Sequence, residues 1–313
     1  MAMSFSFAPR TELPLFPPER SACSGNLDFQ VDRRTGLGFE EFRRDYAKQN
    51  RPVVVEDALA GWPALEKWSP AFFAERYPDK TITFRDQSTL PMSQFIERVM
   101  ASTPAAPAPY WTNAPVAEHF PELLADIDPD LGYFGPNWAS RKFLHPGMRA
   151  SLNRGAMIEI YIGGQGGAFP ILHWDGLSTH AYLMQIYGVK KYWLWPPEET
   201  PCLYPGKDPV NLSPIRDVEN PDFEKYPLFS KARGGTLELH PGQMLFVPTR
   251  WWHTAKMLTP SITLSINTMN TSNWSNFVED MTRKARGPGR LVKSAYLAAA
   301  GMANCAADFL GMV

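Results

Sequence analysis

Cysteine and histidine are scarce in this chain, and neither sign of charge prevails. The three cysteines, Cys23, Cys202 and Cys305, are an odd number and form no CxxC pair. That argues against a disulfide scaffold or a cysteine-built zinc module and makes a reducing, cytoplasmic setting the expected localisation. Basic and acidic residues nearly cancel, 31 against 32, so nothing global draws the chain to nucleic acid or to an anionic membrane. Met1 to Phe16 lacks the charged-then-apolar order of a signal peptide. Leu291 to Val313 is apolar but carries Lys293, Asn304 and Asp308, so no membrane-spanning helix is expected there. Internal repeats and low-complexity tracts are missing as well.

What is present suits a large folded unit. An apolar content of 44% and 13% aromatics over 313 residues are ample for a core and exclude wholesale disorder. Thirty prolines point to turns and short strands rather than long helices. Phe39, Phe42 and Tyr46 share one helical face, and Val53 to Val55 read as a short buried strand. Ser69 and Pro70 open a helix, Ser93 opens another with a capping-box partner, and Pro121 to Ile127 makes a third short one. Strands are expected at Thr81–Phe84, Met157–Ile162, Ala181–Ile186, Lys190–Trp195, Gly235–Leu239, Met244–Val247, Trp252–Met257 and Ile262–Asn267. That spacing suggests an antiparallel sandwich or jelly roll, mainly β in an α+β setting. Residues 198 to 233 read as a long excursion. Trp274 to Lys284 is helical, Gly287-Pro288-Gly289 breaks it, and Leu291 to Leu310 is helical again.

Two short stretches concentrate the chemistry. In Ile171-Leu172-His173-Trp174-Asp175 a histidine and a carboxylate two residues apart project from one face of an extended strand. Far downstream, Trp251-Trp252-His253 supplies a second histidine from another strand. Two histidines and one carboxylate on one face of a metal leave positions open, as in non-haem Fe(II) sites. The plainer alternative is a pair of histidines satisfied within the core.

Between these stretches lie Gln185-Ile186-Tyr187-Gly188-Val189-Lys190-Lys191-Tyr192-Trp193-Leu194-Trp195-Pro196-Pro197 and His240-Pro241-Gly242 leading to Trp251-Trp252-His253. Earlier come Arg51-Pro52-Val53-Val54-Val55, Gly61-Trp62-Pro63-Ala64 and Lys67-Trp68-Ser69. In this order the pieces resemble the jumonji-C hydroxylases, a cupin-like family using Fe(II), 2-oxoglutarate and O2, and the likeness spans most of residues 40 to 275. It implies a double-stranded β-helix with flanking N-terminal and C-terminal helices. It also implies His173, Asp175 and His253 as iron ligands, with Lys190 holding the distal carboxylate of 2-oxoglutarate while Lys191 points outward. The seventeen-residue gap from His173 to Lys190 matches that of the jumonji lysyl hydroxylases. Ser265, Asn267 and Tyr110 match other cosubstrate positions, and Thr179 and His180 are polar substitutes nearby. Two positions depart from the pattern: Pro170 stands where a hydroxyl is expected, and Leu183 where an asparagine is expected.

Residues 1–26 mix Ser, Pro and Arg without periodicity and read as a mobile arm; the resemblance implies a catalytic domain (27–285) with an α/β lead-in (27–150) and barrel core (151–270), and a C-terminal helix (286–313) that pairs subunits in a homodimer. The expected reaction is hydroxylation of a C–H bond on a protein or peptide side chain. A free amino acid or peptide natural product is the second substrate class and a modified tRNA base the third. A non-catalytic jumonji-like binding module is the rival from another class. Aspartate as the carboxylate ligand favours hydroxylation over histone demethylation. Trp174, Trp251 and Trp252 are read as barrel packing, His240 as structural or surface, and the basic run Arg283, Lys284, Arg286, Arg290, Lys293 as a solvated face.

Overall fold

Alternating apolar and polar positions, punctuated by Gly and Pro, set most of the architecture. The computed structural model describes residues 29–128, 132–135, 137–141, 143–146 and 157–311. The expected arm at 1–26 and the boundary at 150/151 lie outside the described residues.

Twelve strands are present among the described residues: β1 (Asp32–Arg34), β2 (Val53–Val55), β3 (Thr81–Thr83), β4 (Thr89–Pro91), β5 (Trp111–Pro115), β6 (Glu159–Gly163), β7 (His180–Tyr187), β8 (Lys190–Trp195), β9 (Gly235–Leu239), β10 (Met244–Val247), β11 (Trp252–Met257) and β12 (Ser261–Thr268). A seven-stranded sheet runs β1-β2-β10-β7-β12-β6-β5, a three-stranded sheet β11-β8-β9, and β3-β4 form a separate hairpin. All pairings are antiparallel except β1 with β2. The two larger sheets face each other as a jelly roll, the double-stranded β-helix expected of this chain.

Period two sorts the residues of the large sheet. Ile262, Leu264 and Ile266 on β12, Tyr182, Met184 and Ile186 on β7, and Ile160 and Ile162 on β6 belong to a core shared with Phe42, Phe73, Phe95 and Trp111 of the N-terminal region. The intervening Thr263, Ser265, Asn267, Ala181, Leu183 and Tyr161 line a cavity between the sheets. A one-residue slip in register would exchange the two sets, so burial on the helix side fixes what faces the cavity.

The 198–233 segment does more than loop out. Its Cys202, Leu203, Ile215, Tyr226 and Phe229 form a second core with Trp193 and Trp195 of β8, Trp252 of β11 and Trp174. Trp174 and Trp252 thus pack the barrel's outer face, edge to face at 4.5 Å. Trp251 packs with Leu194, Leu237 and Val247 in a third cluster. Cys202 is fully buried in that second core, and Cys305 is a free, exposed thiol.

Local signals resolved unevenly. Ser69 caps the helix Pro70–Arg76 by accepting from the Phe72 amide, with Pro70 in its first turn. Ser93 caps nothing: its helix, Met92–Ala101, starts one residue earlier behind Pro91, and the Ser93 hydroxyl donates to the Pro78 carbonyl. Gly287-Pro288-Gly289 is not an interruption but the opening of a 23-residue helix, Gly287–Phe309, because proline lacks the amide that a first turn leaves unused anyway. Among the described residues no helix is long and apolar enough to cross a membrane.

Candidate active site

His173 lies outside any regular strand, contrary to the extended strand expected of its segment. It makes isolated bridges to Leu212 and His253 instead. The His173 amide donates to the His253 carbonyl at 3.1 Å and the His253 amide returns a bond at 2.7 Å. This reciprocal pair zips the two histidines side by side, with ring centroids 4.5 Å apart. His253 is the second residue of β11, whose register against β8 sets it opposite Leu194.

Both imidazoles are oriented from behind. His173 Nδ1 lies 3.0 Å from the Ile171 carbonyl and His253 Nδ1 3.0 Å from the Trp251 carbonyl. A carbonyl only accepts, so each Nδ1 carries the proton and each Nε2 presents a bare lone pair. Those two lone pairs face the Asp175 carboxylate, at 3.9 Å from His173 and 3.8 Å from His253. The three donor sets lie within 4.8 Å of one another. Burial, and then the repulsion two protonated rings this close would feel, push the His173 pKa down, which keeps it in the neutral form that metal ligation requires. Three electron-pair donors converge with no proton between them. A cation fits that arrangement, and the histidine–histidine–carboxylate set suits non-haem Fe(II).

Lys190 opens β8 at the other end of the cavity and is 2% exposed. Its Nζ donates to the Tyr110 hydroxyl at 3.1 Å and lies 5.4 Å from the centre of that ring. No carboxylate among the described residues pairs with it, and burial brings its pKa down to about 7. The turn before it is tight: Gly188 has φ +70°, and a Cβ there would fall 1.9 Å from the Pro260 carbonyl oxygen. Lys191, on the opposite face, contacts the Trp193 ring and pairs with Glu219.

Tyr110, Lys190, Ser265 and Asn267 line the same cavity as the His173–Asp175–His253 group; Thr179 does not. Its hydroxyl accepts from the Asn267 amide nitrogen at 2.9 Å and donates to the Gly176 carbonyl at 3.3 Å, so it holds Asn267 from behind. His180 is fully buried: Nδ1 accepts from the Thr249 amide and Nε2–H donates to Ser272, and burial drives its pKa down to about 3. Where Leu183 offers no polar group, Tyr192, Thr254 and Thr263 bring hydroxyls to the cavity wall.

Several lining residues escaped the sequence reading. Phe169 stacks on His173 with ring centroids 4.8 Å apart. Asn113, held at φ +57°, donates to Glu159 at 3.0 Å and to the Tyr161 hydroxyl at 2.7 Å, and Tyr161 donates to Glu159 at 2.9 Å. Burial raises the Glu159 pKa. These residues meet only because β5 pairs with β6; the one local cue was a polar residue at alternate positions of an otherwise apolar strand.

Comparison with known proteins agrees with this geometry. Residues 39–279 match the family described as "Cupin-like domain". The chain is 29% identical over 282 residues to HSPB1-associated protein 1 of Homo sapiens, covering 78% of this chain and 54% of that protein. It is 29% identical over 266 residues to Lysine-specific demethylase JMJ30 of Arabidopsis thaliana (80% and 56%). To Lysine-specific demethylase 8 of Xenopus tropicalis it is 31% identical over 242 residues (72% and 50%). The chain thus spans about half the length of these curated relatives. By its cupin-like match, its jelly roll and its histidine–aspartate–histidine face, the chain belongs to the jumonji-C, cupin-like family, whose enzymes use Fe(II), 2-oxoglutarate and O2.

Proposed function

We propose that this protein is an Fe(II)- and 2-oxoglutarate-dependent oxygenase that hydroxylates a C–H bond of a protein or peptide side chain. The observation that carries the reading is Lys190: a buried amine with no anion beside it among the described residues, in the same cavity as three convergent ligand atoms. A buried unpaired charge is costly, and a bound carboxylate removes that cost. His173, Asp175 and His253 would hold the iron. Lys190 and Tyr110, with Ser265, would bind the distal carboxylate of 2-oxoglutarate and so orient its other end towards the histidines. When bound, these groups supply the oxidising power, with O2 consumed, 2-oxoglutarate decarboxylated to succinate and one oxygen delivered to the substrate.

The chain's own part is positioning and exclusion of water. The backbone bridge between His173 and His253 keeps two ligands in register, and Phe169 shields the outer side of His173. Asn113 and Tyr161, both bonded to Glu159, line the cavity that holds the metal ligands, where a substrate amide or cationic side chain would find partners. Two of the relatives are named as lysine-specific demethylases. Hydroxylation of an N-methyl carbon is the first step of demethylation, so the two outcomes share one oxygen transfer and differ in the carbon presented. Incubation of the full chain with Fe(II), 2-oxoglutarate and peptide pools should give succinate together with peptides heavier by one oxygen. Loss of a CH2 unit would assign demethylation, and 2-oxoglutarate turnover stimulated only by tRNA or free amino acids would overturn the protein-substrate reading.

A further inference from the structure

Beyond the cavity wall, a polar network joins the segment after Asp175 to the segment before His253. Arg250 is its centre. Its Nε donates to the Ser178 hydroxyl at 3.1 Å, its Nη2 to Asp280 at 3.1 Å and to the Asn276 carbonyl at 3.4 Å, and its Nη1 to Glu279 at 3.1 Å. The Ser178 hydroxyl in turn donates to the other Asp280 oxygen at 2.5 Å. The Ser178 carbonyl accepts from the Thr249 hydroxyl at 2.7 Å and from the Asn273 amide nitrogen at 3.1 Å. Ser178 is fully buried and the Asp280 side chain is 14% exposed.

The backbone here is in an unusual state. Leu177 (φ +60°), Ser178 (φ +52°) and Arg250 (φ +63°) are three of the seven non-glycine residues with positive φ among those described. Left-handed backbone at side-chain-bearing residues persists only where the surroundings over-determine it. The network supplies that constraint, from the helix Trp274–Thr282 that carries Asn276, Glu279 and Asp280.

Sequence distance gives the network its meaning. Ser178 is three residues after Asp175, and Arg250 three before His253. The histidines are joined directly by their backbone bridge, whereas the Asp175 carboxylate has no hydrogen-bond donor among the described residues. We propose that Arg250, Ser178 and Asp280 are positioning residues, a lock that sets Asp175 relative to His253 and so tunes the affinity and geometry of the metal site. This rests on the metal reading of His173, Asp175 and His253.

The test uses Co(II), a spectroscopically visible probe, on the metal-free full chain, following affinity by calorimetry and geometry by the visible spectrum. Asp280→Asn keeps the shape but weakens both bonds to its carboxylate. It should bind Co(II) about tenfold or more weakly, with an altered visible spectrum and wild-type circular dichroism before metal is added, because partners outside the ligand set typically cost roughly 10–100-fold. Arg250→Lys, which cannot bridge Ser178 and Asp280, should do the same, and the double variant should be no worse than the poorer single one. Glu279→Gln, touching only the outer contact, should stay within about twofold. Wild-type affinity and spectrum in both Asp280→Asn and Arg250→Lys would overturn the lock, as would additive losses or an equal loss in Glu279→Gln. If Asp280→Asn does not fold, Arg250→Lys decides. Loss of the metal-free fold in both would assign the network to folding and overturn the proposal. Failure of the wild type to bind Co(II) would instead strike the metal reading itself.

Discussion

The two ends of the cavity are opposites in what they lack. At one end His173, Asp175 and His253 gather lone pairs and a negative charge with no proton among them. At the other, Lys190 presents a donor and, when protonated, a positive charge with no anion beside it among the described residues. Each end alone is an unfavourable thing to bury, since a desolvated charge must find a partner. Together they fit the guest proposed above, a cation joined to a carboxylate-bearing chelator that reaches across the barrel. The difference also shows how each end is built. The metal end depends on backbone: the reciprocal bridge between the histidines and two carbonyls that fix their tautomers. The lysine end depends on strand register, because β8 must put Lys190 inward and Lys191 outward.

Breaking the metal end should have the largest effect. His173→Ala or Asp175→Ala is expected to weaken Fe(II) or Co(II) binding by more than about 100-fold, since even outer partners cost roughly 10–100-fold. Turnover should fall to background while the metal-free fold survives, as calorimetry and circular dichroism would show. Breaking the lysine end should be selective. Lys190→Met removes bonds worth about 1.5–3 kcal/mol, so the dissociation constant for 2-oxoglutarate should rise roughly 10–150-fold with metal affinity intact; equal losses in both would merge two ends that the account keeps apart.

The same lysine makes a pH prediction. Its pKa in the ligand-free fold is lowered to about 7 by burial, against ~10.4 in an unfolded chain. Between those values the unfolded state binds more protons, so ligand-free stability should rise with pH across that window. A bound carboxylate favours the charged form again. At about pH 8, binding of 2-oxoglutarate should therefore take up close to one proton, read by calorimetry in buffers of differing ionisation enthalpy. A buffer-independent heat would contradict it. The smallest effect sharpens the contrast with Lys190: Lys191→Met breaks a part-exposed pair with Glu219 worth less than about 1 kcal/mol, and should leave 2-oxoglutarate affinity within about twofold.

Much of this was legible in the residues, for identifiable reasons. The strands Lys190–Trp195, Gly235–Leu239, Met244–Val247 and Trp252–Met257 end where expected, because Gly and Pro punctuate them and period two governs their faces. The opposite fates of Lys190 and Lys191 follow from the same alternation. What stayed hidden was set by distant partners. His173 reads as a strand residue, yet only isolated bridges hold it. Thr179 looks like a cosubstrate contact because it is near in sequence, but its hydroxyl supports Asn267 from behind. Asn113 and Glu159 are 46 residues apart, and no local pattern foretells their bond. The Arg250 network unites a turn, a strand entry and a helix, so it has no signature of its own.

The central claim is that both ends act on one guest. Anaerobic titration of the wild-type protein with Fe(II) and then 2-oxoglutarate tests it most directly, by the weak visible charge-transfer band of the iron chelate. A band is expected in wild type, with its loss in His173→Ala and its recovery in Lys190→Met only at much higher 2-oxoglutarate. No band in wild type, or an unchanged band in His173→Ala, would contradict it.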